Sequence, residues 1–164
     1  MKKINYLIVI ISSIHLLFAD PPDWVDNPGG YEFTATISGG IILNDGEQMG
    51  DDGDIFAAFD ENGNARGVGL MLFPPFGPYQ GTPVFEVQLR SNTAGNLLSF
   101  KYYDASEDAV LDIVETYEFV INDIIGDVIN PEFYTIGSVS GGGENEPDWT
   151  DDPGSYEFSA TIAG

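Results

Sequence analysis

Carboxylates are the most abundant reactive groups in this chain, and they come in clusters. Residues 44–54, NDGEQMGDDGD, hold five of them (Asp45, Glu47, Asp51, Asp52 and Asp54) among three glycines. A turn, Asp60-Glu61-Asn62-Gly63-Asn64, follows one short apolar run later. Asp60, Asn62 and Asn64 place oxygens at alternate positions, as calcium loops do. The glycine falls at the fourth position and no glutamate stands at the twelfth, so the pattern is not an EF-hand. Asp51, Asp52, Asp54, Asp60, Asn62 and Asn64 are the candidate calcium ligands. The two groups flank one run at opposite ends and need not converge. The plainer expectation is a solvated loop and an Asn-Gly hairpin turn with positive φ. Glycoside hydrolysis needs two carboxylates at a set separation across a cleft; with 27 acids no pair stands out, and the chain reads as non-enzymatic.

Aromatic rings offer a second chemistry. Phe76 and Tyr79 sit in residues 74–83, PPFGPYQGTP, where four prolines in ten positions forbid regular structure. Exposed rings on such a loop can stack on apolar sugar faces, which makes Phe76 and Tyr79 candidate contacts for surface glycans. The alternative, which the composition favours, is that they cap one end of a core.

Histidine and cysteine chemistry is excluded by what surrounds these groups. Residues 1–19 carry Lys2 and Lys3, an apolar run over 4–18 and a small Ala19, the layout of a secretory signal peptide. The run is short for a membrane span and is broken by Asn5, Ser12, Ser13 and His15. His15 is the only histidine, so the remainder has neither His nor Cys. That rules out Ser-His-Asp and Cys-His catalysis, disulfides and imidazole or thiolate zinc sites. Arg66, Arg90 and Lys101 face 27 acids there, a net charge of −24. Such a surface repels phosphate backbones and anionic lipid, so no nucleic-acid partner is expected, and no membrane contact after cleavage. It attracts divalent cations, or simply keeps molecules apart.

The elements that must position these groups read as strands. Residues 31–38 alternate Tyr31, Phe33, Ala35 and Ile37 with polar partners, and residues 41–43 add a short apolar run. Further strands are expected over 55–59, 65–73, 85–90, 98–103, 110–114, 116–121 and 133–136, with turn residues between them. No window shows a helical period. The pattern predicts an all-β fold, an Ig-like or jelly-roll-like antiparallel β-sandwich over residues 31–137. Phe33, Phe56, Phe59, Phe85, Phe100 and Phe119 are its expected core. Residues 20–30 read as a linker-like lead-in and 138–146 as a Gly-rich flexible linker.

Several of these segments carry a resemblance. In order they are Asp54-Ile55-Phe56-Ala57-Ala58-Phe59, Ala65-Arg66-Gly67-Val68-Gly69, Phe100-Lys101-Tyr102-Tyr103-Asp104-Ala105-Ser106, and Ile124-Ile125-Gly126 with Asn130-Pro131. Together they resemble a β-sandwich module that recurs, often several times, in large secreted bacterial surface proteins. The resemblance covers roughly residues 31–137. It implies a fold and an extracellular location, and it brings no activity to any residue here.

One feature organises the whole chain. Residues 22–39, PDWVDNPGGYEFTATISG, return at 147–164 as PDWTDDPGSYEFSATIAG, with 13 of 18 positions identical. A self-match at fixed period marks a repeat architecture. Tyr156, Phe158, Ala160 and Ile162 reproduce the apolar face of Tyr31, Phe33, Ala35 and Ile37. The copy is an extra C-terminal strand: it starts a second module, or it fills the first-strand slot of a neighbour. Trp24 and Trp149 are the expected anchors at module junctions. The reading is a secreted structural or adhesive subunit of an extracellular or cell-surface fibre whose partners are copies of itself. The alternative is a carbohydrate-binding module of a larger secreted protein.

Overall fold

In a computed structural model of the chain, residues 21–137 are described. Residues 1–20, residues 138–146 and the copied motif with Trp149, Tyr156, Phe158, Ala160 and Ile162 lie outside the described residues. Among the described residues ten strands occur: β1 (Phe33–Asn44), β2 (Glu47–Gln48), β3 (Ile55–Phe59), β4 (Ala65–Val68), β5 (Leu70–Leu72), β6 (Val84–Ser91), β7 (Leu97–Asp104), β8 (Ala109–Glu118), β9 (Ile124–Ile125) and β10 (Glu132–Thr135). No helix among the described residues is long and apolar enough to cross a membrane.

Period-2 alternation puts Ala35 and Ile37 of β1 on a buried face while Thr34 and Thr36 stay half-buried. The same alternation in β6 and β7 buries Phe85, Val87, Leu89, Leu98, Phe100 and Tyr102. Two sheets result. One runs β10-β1-β6-β5, with β2 and β9 also on β1; the other runs β4-β3-β7-β8. They pack as the expected all-β sandwich around a core in which Phe56 stacks on Phe100 at 5.4 Å and meets Tyr134 at 4.9 Å. Each such ring pair contributes about 0.5–1.5 kcal/mol beyond the area it buries. Of the expected aromatic core, Phe56, Phe85, Phe100 and Phe119 are central and Phe33 packs against them half-buried. Phe59 is buried but lies outside this cluster.

The structure corrects the segmentation in three places. Residues 31–38 and 41–43 are one strand, bent where the register against β6 shifts between Ile37 and Gly40; Tyr31 stands just before it. The expected 65–73 strand is two, because the chain changes sheets at Gly69, whose N–H donates to the Phe56 carbonyl at 2.7 Å. Residues 110–121 hold a single strand, β8, against which β7 shifts register between Ser99 and Lys101. The sandwich is also not wholly antiparallel: β1 pairs in parallel with β9 at Thr36–Ile37 and with β10 at Gly40–Leu43.

That parallel pairing sets the polarity of the module. β1 and β10 point the same way and lie side by side, so the chain enters at one pole and leaves at the other. The N-terminal pole holds the 60–64 turn and residues 92–96. The C-terminal pole holds the acid-rich 44–54 loop, the Pro-rich loop and the 105–108 turn.

Candidate functional site

The lead-in is not a loose linker. Residues 22–31 form a strap fastened across the N-terminal pole by three side chains of the repeated motif. Trp24 lays its ring edge-on to Phe59, with centroids 5.1 Å apart, and so covers the phenylalanine that the core leaves out. Asp26 accepts two hydrogen bonds from Arg90, from Nε at 2.7 Å and from Nη2 at 2.8 Å. This paired fork is the strong form of a carboxylate–guanidinium contact. Arg90 is buried and also donates to the Gln88 side chain at 3.0 Å. The Asp26 hydrogen bond, more than offsetting burial, holds the guanidinium above its ordinary value. Tyr31 offers its ring face to Arg66, whose guanidinium carbon sits 4.2 Å from the ring centroid. Between these anchors, Asn92 accepts the Glu32 N–H at 2.8 Å.

The dock that receives the strap is built by β3, β4 and β6. Arg66 is held in place by Asp60, which accepts from its Nε at 3.1 Å and Nη2 at 2.9 Å. Asp60 also closes the β3–β4 turn: its carboxylate accepts the Asn62 and Asn64 N–H groups and the Asn64 amide. Burial alone would raise the Asp60 pKa, but hydrogen bonds from Asn64, Arg66 and Asn62 outweigh it and hold the carboxyl down to about 2. The turn is a five-residue loop in which Gly63 alone has positive φ (79°), not a two-residue Asn-Gly hairpin.

These contacts engage one group of the candidate calcium ligands, and the other group lies apart from it. Asp51, Asp52 and Asp54 lie at the start of β3, while Asp60, Asn62 and Asn64 lie beyond its far end. Both Asp60 oxygens already serve the turn. Asp54 accepts from the Tyr102 hydroxyl, the Asp51 N–H and the Ala105 N–H. Among the described residues, no three acidic, histidine or cysteine groups converge to hold a metal ion. The two candidate glycan rings are also separated in role: Phe76 is 62% exposed, whereas Tyr79 is half-buried and packs edge-on to Phe133 at 6.4 Å.

Of the expected assembly residues, Ala35 and Ile37 are fully buried in β1, Phe33 packs on the core, and Tyr31 and Trp24 fasten the strap. Trp24 thus anchors to its own module. The partners that sequence reading missed are Phe59, Arg66 and Arg90. A signal was present: cations are so scarce here that each is expected to have a fixed acidic partner.

The fold and this site define a β-sandwich module whose first repeat motif is docked on the module that it opens. Compared with protein-family models, with curated proteins and with solved structures, the chain matches none of them.

Proposed function

We propose that the protein is a non-enzymatic structural or adhesive module of a secreted, extracellular or cell-surface array, propagated by tandem repetition or strand exchange. The observation that carries this reading is the parallel pairing of β1 with β10, which sets the entry and exit of residues 21–137 at opposite poles. Units joined through such ends add along one line, as repeat proteins do. The repeated motif supports the same reading, because its second copy carries again the Trp, Asp and Tyr that fasten the first. Of the two joints, tandem repetition suits β1 better. That strand is hydrogen-bonded on both flanks and buries Ile37, Ile41 and Ile42, so withdrawing it would open the core. The leader-like residues 1–19 support secretion, and the acidic surface supports solubility.

A second reading, a carbohydrate-binding module, is favoured by one observation, the outward-facing ring of Phe76. Light scattering and negative-stain imaging of residues 20–164, beside a version ending at Gly143, separate the possibilities. Filaments from the longer chain alone mean that the copied motif docks in trans. Folded monomers of both mean a tandem row, in which the copy opens the next module. Monomers that are retained on a polysaccharide column, with retention lost on Phe76→Ala, would overturn the array in favour of glycan binding.

A further inference from the structure

We propose that the strap dock, framed by Phe59, Arg66 and Arg90, is exchangeable, and that residues 149–156 of a second copy of this chain occupy it in place of residues 24–31. This rests on the array reading and names how two copies recognise each other.

The pattern of identity between the two motifs is the first ground. The five positions that differ are 25, 27, 30, 34 and 38. None of them is buried: Val25, Asn27 and Gly30 are exposed, Thr34 and Ser38 half-buried. All three residues that touch the dock recur, as Trp149, Asp151 and Tyr156. The change of Gly30 to Ser155 is tolerable, since an added Cβ meets only the Asn27 side chain, and that position is itself changed to Asp152 in the copy. Trp149 can therefore meet Phe59, Asp151 can take the Arg90 fork, and Tyr156 can lie against Arg66.

Burial is the second ground. The strap is peripheral, with Trp24 and Tyr31 half-buried and Asp26 27% exposed. Exchanging it leaves β1 and the core in place, which exchanging β1 would not.

Reach is the third. From Gly137 to Trp149 there are only twelve residue steps, about 40–43 Å at full stretch. The chain leaves at the C-terminal pole, whereas the dock lies beyond the other end of β1. Ten residue steps of β1, Phe33 to Leu43, already span roughly 33 Å. Folding back onto its own dock would need a taut linker, so a second copy supplies the strap more easily.

At equal contacts the resident strap wins through its tether, which is worth an effective concentration of about millimolar. Exchange is therefore expected when the resident strap is weakened. The full chain carrying Trp24→Ala with Asp26→Ala should associate at about 100 µM in sedimentation runs, the concentration being set well below that tether. Adding Trp149→Ala and Asp151→Ala should return it to monomer. A labelled peptide of residues 147–156 should bind the double variant saturably, with affinity falling tenfold or more when Arg90→Ala is added. If the double variant loses its β-sheet circular dichroism, Asp26→Asn keeps the side-chain volume and repeats both measurements. A folded variant that stays monomeric and ignores the peptide would overturn strap exchange. It would leave the array reading to stand or fall on the Gly143 comparison.

Discussion

Tyr102 of β7 points its phenol to Asp54, which stands just before the neighbouring strand β3, and both side chains are buried. Burial first, and then the hydrogen bond to Asp54, push the phenol far above its ordinary value of 10.0. Tyr134 shifts the same way, chiefly by burial, and Tyr117, half-buried and bonded to Asp123, rises to about 12. A phenol whose folded pKa is raised stabilises the fold fully below pH 10, and this contribution is lost as the pH climbs above the unfolded value. Urea midpoints are therefore expected to fall above about pH 10, less steeply in Tyr102→Phe than in the wild type. At neutral pH the same substitution leaves Asp54 short of a donor and should lower stability by about 1–3 kcal/mol. An unchanged neutral midpoint would sink this account. Neither Tyr102 nor Asp54 announces the pairing in the sequence, because 48 residues separate them and each fits an ordinary strand or loop.

The strands were legible wherever one face meets core and the other meets solvent. β6, β7 and β10 start or end within one residue of the alternation that announced them. The reading failed where a contact across the fold decides the outcome. At Gly69 the backbone stays extended while it passes from one sheet to the other, so residue types alone show no break; what forces the change is the close approach to the Phe56 carbonyl. β9 and β10 are too short to reveal a parallel partner that lies some ninety residues earlier in the chain. The strap shows no periodicity, since side chains rather than a ladder hold it. Gly39 marks the bend of β1: a Cβ there would lie 2.6 Å from the Asp127 carbonyl carbon, a backbone atom that cannot step aside. Gly39→Ala is expected to lower stability by about 2 kcal/mol or more. Gly29→Ala, with open space around it and no positive φ, should change the thermal midpoint little. Equal effects at the two positions would contradict the close packing proposed for the bend.

Seen whole, the module is a slab with a fastened N-terminal pole, where two of the three cations among the described residues are neutralised by Asp26 and Asp60, and an acid-rich C-terminal pole. Its first and last strands are neighbours that run the same way, with Gly40–Leu43 set against Glu132–Thr135. Tension applied through the two ends would drag β1 and β10 past each other in opposite directions. All four register pairs would then be loaded at once, in shear. Tension applied instead through Glu32 and Asn92 would start at the Phe33–Ser91 pair and peel β1 from β6 one pair at a time. Single-molecule pulling should therefore give a clearly higher rupture force from residues 21 and 137 than from residues 32 and 92, since forced unfolding follows the barrier along the pulled direction. Similar forces from both attachments would refute it. A row of such units would transmit load along its length while each stays closed, behaving as a cable rather than a spring.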